Sequence, residues 1–279
     1  MRFINSVAEI APSYHGVLLD LWGCLHDGSH LYPGAHECLV ELRKRGMKIM
    51  VLSNAPRRTE KVLVVLDQLG VERSLYDGAL TSGEAGWRAL QKGRPGYGPR
   101  YFYIGPEKDA DVLHGLSYSA VPKVAKADFI LNVGFGSEGH SMDEWDAVLA
   151  DGAKRGLPML CLNPDMEVVK ISGERFPCAG VIAKAYERLG GLVTYMGKPY
   201  PEVYALALAR LGLQKDQVLA IGDGLHTDVL GAKAAGIRAA LVTGGILQQE
   251  LGDISHAALK KHLAKQDVHA DYVLPGLVW

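Results

Sequence analysis

Four cysteines in 279 residues, with neither a CxxC pair nor a zinc-type spacing among them, leave little room for thiolate-metal or disulfide chemistry. Cys24, Cys38, Cys161 and Cys178 lie in separate segments and read as reduced thiols. Three of them suit packing, while Cys24 sits in a loop of unusual composition. The opening MRFINSVAEIAPSYHG lacks the apolar run after basic residues that a secretory signal needs, and no later stretch reaches the roughly 18 uninterrupted apolar residues of a membrane span. The expectation is a soluble, cytoplasmic protein. No charge of one sign dominates either, since 30 Lys and Arg face 31 Asp and Glu for a net charge of -1. That balance gives no reason to invoke nucleic acid or an anionic membrane. Internal repeats, low-complexity tracts and a GxGxxG dinucleotide fingerprint are all missing.

What is present is a 48% hydrophobic chain, enough for one sizeable core and a second smaller one. Apolar stretches of strand length alternate with helical patterns, as in βα units with a mostly parallel sheet. GVLLD should be a buried strand. Residues 37–46 form an amphipathic helix that stops at Gly46, KIMVLS is the next strand, and a second helix runs from a Thr59 cap to about Gly70. The glycines and prolines of residues 91–100 then argue for a surface connection. A second α/β series follows, with YFYIG, DFILNVG and PMLCLN as strands and SMDEWDAVLADGAKRG and GVIAKAYERLGG as helices. From Thr194 the first rhythm resumes through TYMGKP, EVYALALARLG, QVLAIGDG, TDVLGAKAAG and AALVTGG. The division is therefore 1–80 for the first part of a core, 81–192 for an inserted unit and 193–279 for the second part of the core.

Ligands of parallel sheets gather beyond the carboxyl ends of strands. Three expected strand ends carry polar residues: Asp20 after VLL, Ser53 and Asn54 after IMVL, and Asp223 after VLAIG. Asp20 is either a nucleophile or metal ligand, or an aspartate capping a turn. Gly23 and Gly28 permit a tight loop that aims N–H groups at an anion. In GDGLHTD, Asp223 and Asp228 bracket a turn, where Asp228 can equally be a charge partner for a helix N-terminus. Lys198, after a short strand and before a proline, is either a solvated lysine or a cation fixed beside phosphate.

Taken in order, DLWGCL, LSNAPR, GKPYPEVY and GDGLHTDVLGAKAAG resemble the haloacid-dehalogenase superfamily of phosphatases. With NPD at Asn163 to Asp165 and the long middle block, the likeness is to the branch of nucleotide-monophosphate and 4-nitrophenyl phosphatases. The resemblance covers nearly the whole chain and implies an α/β fold: a Rossmann-like three-layer core with a parallel sheet plus an inserted α/β cap. It implies that Asp20 forms an aspartyl phosphate, that Ser53, the Asn54 backbone, Gly23 and Lys198 hold the phosphate, and that Asn163 and Asp165 lie on the substrate side of the cap. It also implies Mg2+ bound by Asp20, the Trp22 carbonyl and Asp223, with Asp228 in support. A small phosphorylated metabolite is the implied partner, and a homodimer through the cap is the family-level expectation.

One position departs from the pattern. The residue at Trp22 is ordinarily an aspartate that protonates the leaving oxygen and then activates water. An indole has one N–H donor and nothing that titrates near neutrality. Loss of such help costs about 10²–10⁴-fold in rate, most for alkoxide leaving groups. Phenyl, acyl and pyrophosphoryl substrates should therefore be favoured unless another residue supplies the proton. His26 is the speculative donor, by virtue of its titration range, although it is equally a histidine in a polar turn. His226 could approach the same crevice, and Cys24 has no visible activator. The competing reading is a phosphatase-like protein that binds a phosphorylated ligand without rapid turnover.

Substrate choice should lie in the inserted unit, where residues 132–141 (NVGFGSEGHS) are either a ligand-facing loop or an exposed turn. Trp145 and Tyr186 sit in helical patterns and read as packing residues. Tyr101 and Tyr103 alternate with Phe102 along a strand that could cover a sheet edge.

Overall fold

Burial along Gly16–Leu19 explains how the chain layers itself: Val17 and Leu19 enter one apolar cluster and Leu18 the other, so both faces of this strand are covered. In a computed structural model of the chain, residues 1–136, 141–169, 174–252 and 255–279 are described. In chain order the first elements are β1 (Arg2–Phe3), β2 (Gly16–Leu19), α1 (Ala35–Lys44), β3 (Lys48–Ser53), α2 (Thr59–Gln68), β4 (Gly78–Thr81) and α3 (Ser82–Gln91). The middle block holds β5 (Arg100–Ile104), β6 (Ser119–Ala120), β7 (Phe129–Asn132), α4 (Asp146–Lys154), β8 (Pro158–Cys161), β9 (Glu167–Val169), β10 (Arg175–Pro177), α5 (Ala179–Arg188) and β11 (Leu192–Tyr195). The chain closes with α6 (Pro201–Leu211), β12 (Val218–Gly222), α7 (Leu230–Ala234), β13 (Arg238–Val242), α8 (Ile246–Leu251), α9 (His256–Leu263) and β14 (Tyr272–Leu274).

Seven strands form a parallel sheet in the order β1-β14-β13-β12-β2-β3-β4. Helices α1 and α2 cover one face through Leu39, Leu42, Leu63 and Leu66, and α6 covers the other through Val203, Tyr204, Ala207 and Leu211. This is the expected three-layer α/β core. The order also locates a ligand site, because the chain moves outward from β2 through β3 and β4 and then returns to the opposite side of β2 as β12. Crevices open where strand order reverses in this way.

The middle block builds its own parallel sheet, β11-β8-β7-β5-β6, with the antiparallel pair β9-β10 beside it. One strand moves between units relative to the sequence reading. Thr194 and Tyr195 of TYMG, expected to resume the core series, lie in β11, which pairs with β8 at the edge of the second sheet. Thr81, expected to open the inserted unit, is instead the last residue of β4 in the first sheet. Thr59 is the first residue of α2 rather than its cap, and its buried hydroxyl has no partner. Trp145 and Tyr186 pack in the second unit's core as expected. Of the NVGFGSEGHS segment, residues 137–140 lie outside the described residues. No helix among those described is long and apolar enough to cross a membrane.

Helix α1 tests the layer argument because Leu39 is 1% exposed in the cluster beneath β2 and β3. Leu39→Ala should lower unfolding stability by about 2–5 kcal/mol, read from urea melts. A loss under about 1 kcal/mol would mean that this face is not close-packed.

Candidate active site

The neighbouring strands β12, β2 and β3 end together, and each end delivers a polar side chain to one cleft. Register pairs Leu19 with Ile221, and the Asp20 amide continues the ladder by donating to the Ile221 carbonyl at 2.9 Å. Asp20 and Asp223 therefore emerge side by side, with Ser53 on the other flank of β2. Beyond β12 the chain makes a wide π-helical turn over Leu225–Val229, which brings Asp228 back to the same point. The Tyr204 hydroxyl braces this turn at 3.3 Å from the carbonyls of both Thr227 and Asp228.

Lys198 closes the arrangement from the far side of the chain. Its Nζ donates to Asp20 Oδ1 and, at 2.8 Å, to Asp228 Oδ1. All three residues are nearly excluded from water, at 3% for Lys198, 7% for Asp20 and 6% for Asp228. Burial alone would pull the lysine down, but the two carboxylates raise it well above the ordinary lysine range. Burial raises Asp20, against the opposing pull of Lys198. For Asp228, burial and then the Asp20 charge push the carboxyl up to about 6.

Ligand oxygens of Asp20, Asp223 and Asp228 lie within 4.8 Å of one another. Three buried carboxylates thus converge on one ammonium. A hard divalent cation fits the donor set, which is all carboxylate oxygen, and it fits the charge.

Ser53 is 8% exposed and lines the cleft, its Oγ accepting from the Ala55 amide at 3.2 Å. Asn54 acts through its side chain as well as its backbone. Its Oδ1 accepts from the Lys198 amide at 2.7 Å, while Nδ2 donates to the Lys198 carbonyl at 3.0 Å and to Asp165 Oδ1 at 2.8 Å. One amide thus fixes the lysine and ties the NPD turn of the inserted unit to the core. Within that turn Asn163 Oδ1 accepts from the Asp165 amide at 3.0 Å. Asn163, Asp165, Trp22, His26 and His226 share the walls of a cleft of about 880 Å³ with Asp20, Ser53, Lys198, Asp223 and Asp228.

Two expectations for the first loop, those for Gly23 and His26, need correction. Gly23 does not offer an N–H to an anion, because its amide donates to the His26 carbonyl at 3.0 Å. Its value is close approach, since with φ +81° a Cβ there would stand 1.9 Å from Asp223 Oδ2. His26 does not have the near-neutral titration that suggested it as a proton donor. It is 5% exposed, its Nδ1 accepts from the Gly28 amide at 2.9 Å, and burial pushes its pKa down to about 4. Cys24 is 1% exposed, and burial together with the nearby carboxylates drives its thiol well above the ordinary range, so it is no nucleophile. The Trp22 indole stands edge-on to His26 and lies over Gly28, where a Cβ would meet the ring at 2.6 Å.

Sequence reasoning missed Ser82. Its hydroxyl sits against the carbonyls of Asn54 and Ala55, both at 2.8 Å, and of Leu162, pinning the β3 loop to the inserted unit. Nothing in a lone serine after a strand signals that role.

Carboxylates and a lysine thus gather at the switch point of a parallel sheet in an α/β protein that carries an inserted second sheet. Haloacid dehalogenase-like hydrolase models match residues 17–119 and 153–236, and a further HAD-like model matches residues 195–278. Over these spans the chain is similar to haloacid dehalogenase-like hydrolases. It is 27% identical over 260 residues to the phospholysine phosphohistidine inorganic pyrophosphate phosphatase of Rattus norvegicus, covering 91% of each chain. Identity to the ribonucleotide monophosphatase NagD of Escherichia coli is also 27%, over 82% of this chain and 88% of NagD. A solved haloacid dehalogenase-like hydrolase from Brucella suis superposes with a TM-score of 0.85 at 27% identity, covering 99% of this chain and 100% of that one.

The buried neutral His26 has a measurable consequence. Its folded pKa of about 4 lies below the ordinary 6.5, so it contributes stability that is complete above 6.5 and is lost as pH falls towards about 4. The full loss is about 3 kcal/mol. His26→Asn, which keeps an acceptor for Gly28, should show a shallower decline in urea-melt stability than the native chain over that window. Parallel declines would contradict a buried neutral imidazole.

Proposed function

We propose that this protein is a Mg2+-dependent phosphohydrolase that acts on a small phosphorylated metabolite through an aspartyl-phosphate intermediate on Asp20. The observation that carries the reading is the convergence of Asp20, Asp223, Asp228 and Lys198 in one cleft at the switch point. The printed names of the relatives support phosphoryl transfer to water as the reaction class. They differ in substrate, and so do not carry over a metabolite.

Asp20, Asp223 and Asp228 would hold the ion, which when bound offsets the carboxylate charge and stabilises negative charge on the transferring oxygens. Lys198 sets the orientation of Asp20 and offers its ammonium to a phosphate oxygen entering between the two carboxylates. Ser53 at the end of β3 supplies a hydroxyl to the same anion. Attack by an Asp20 oxygen on phosphorus displaces the leaving group, and water then cleaves the acyl phosphate. The inserted unit, contributing Asn163 and Asp165 to the walls, acts as a cap that limits water in the cleft.

Trp22 favours a second reading, a protein that binds a phosphorylated ligand without consuming it. Turnover separates the two. Native protein should hydrolyse 4-nitrophenyl phosphate, lose that activity to a chelator and regain it with Mg2+. Asp20→Asn should lose on the order of 10⁴-fold or more in kcat. Tight Mg2+-dependent binding with no product would support the binding protein, and an active Asp20→Asn would refute the nucleophile.

A further inference from the structure

A hydrolase that places tryptophan at the position of the usual acid still needs a proton for its leaving oxygen, and the cleft offers few sources. The indole has no group that titrates near neutrality. His26 has its Nδ1 engaged with Gly28, and Asp27 Oδ1 accepts from the amides of Ser29 and His30. Asp20 and Asp228 are bound to Lys198, and Asp223 lies in the same carboxylate cluster. Among the described residues, three acids lining the cleft stand outside that cluster: Asp165, Glu167 and Glu250. Glu167 is paired with Arg175, and Glu250 is exposed on α8. Asp165 remains.

We propose that Asp165 is the general acid and base of this site, in place of the aspartate that the resemblance would set at position 22. The proposal rests on the phosphohydrolase reading and adds a residue to it.

Geometry supports the assignment on three counts. The backbone of Asp165 is pinned on both sides, its amide to Asn163 Oδ1 at 3.0 Å and its carbonyl to the Gly180 amide at 3.1 Å. The carboxyl group is oriented, because Oδ1 accepts from Asn54 Nδ2 at 2.8 Å, the same nitrogen that lies 3.0 Å from the Lys198 carbonyl. With Oδ1 so occupied, Oδ2 is the oxygen free to carry a proton towards a substrate in the cleft. Finally, Asp165 belongs to the inserted unit and lines the same cleft as Asp20. Burial raises the Asp165 carboxyl above the usual carboxylate range, against the pull of Asn54 and Lys198, which is the direction a proton donor requires.

The two half-reactions balance. As an Asp20 oxygen forms its bond to phosphorus, the bond from phosphorus to the leaving oxygen breaks. That electron pair takes the Asp165 Oδ2 proton, releasing an alcohol and leaving Asp165 as carboxylate. In the second half Asp165 accepts a proton from water as the water oxygen bonds to phosphorus. The bond from phosphorus to Asp20 breaks, phosphate leaves, and both aspartates return to their starting states.

The test is leaving-group dependence in the full-length protein with Mg2+, across aryl phosphates of graded phenol pKa and one alkyl phosphate. Native protein should show a shallow dependence of kcat/KM on leaving-group pKa. Asp165→Asn should cut alkyl phosphate turnover by about 10²–10⁴-fold while changing 4-nitrophenyl phosphate by less than about 10-fold, with Asp165→Glu recovering part of the loss. Equal losses on both substrates, or none on either, would overturn the proposal. Should Asp165→Asn fail to fold, the native slope decides: a steep one belongs to an enzyme without a proton donor and overturns the assignment. Native protein that hydrolyses no member of the series removes the phosphohydrolase reading and this proposal with it. Hydrolysis that ignores Asp165 removes the proposal alone.

Discussion

One ammonium between two carboxylates organises the centre of this molecule. Lys198 reaches Asp20 and Asp228 from a segment that precedes α6, and both acids come from loops at the ends of adjacent parallel strands. Placing these charges away from water costs free energy that mutual attraction returns only with good geometry and complete hydrogen bonding. The surrounding structure provides both. The Asn54 amide holds the lysine backbone on two sides, Tyr204 braces the turn carrying Asp228, and Gly23 lets the first loop lie against Asp223. Asp223 joins Asp20 and Asp228 in the same carboxylate cluster.

Sheet order explains why these groups meet. A chain that had continued outward from β4 would have left Asp223 far from Asp20. Its return to the other flank of β2 makes the two aspartates neighbours and opens the crevice between them. The inserted unit enters after α3, where Ser82 grips the β3 loop and Leu162 together. Contact between the NPD turn and Asn54 makes that unit part of the cleft wall, in direct touch with the core loop.

Much of this was legible in the sequence because buried parallel strands are apolar runs that end abruptly in polar residues. KIMVLS coincides with β3, and Asp20, Ser53 and Asp223 stand where their runs predict. Helix α3 was not legible, since Gly83 and Gly86 lower helix propensity. Packing requires them: a Cβ at Gly83 would meet the Pro56 carbonyl oxygen at 2.2 Å, and one at Gly86 would meet Leu162 at 2.3 Å. Thr194 and Tyr195 were assigned to the wrong sheet because periodicity reveals a strand and not its partner. The first loop misled for a different reason. His26 is polar and its neighbours are polar, yet the indole of Trp22 and the fold of the loop bury it, and burial reverses the titration that its residue type suggests. The clamp made by the Asn54 side chain joins residues 144 positions apart, and no local pattern encodes such a pairing.

That Asp20, Asp223 and Asp228 together hold a divalent ion is the claim on which the rest stands, and thermal melting against Mg2+ concentration tests it directly. An ion that binds only the folded chain adds stability by mass action, about 2.7 kcal/mol at a concentration 100-fold above its dissociation constant. The account predicts that Tm climbs steadily with Mg2+ in the native protein and stays flat in Asp223→Asn, with Na+ at equal ionic strength without effect on either. A native Tm that does not respond to Mg2+, or a variant that responds equally, would show that these carboxylates do not hold the ion.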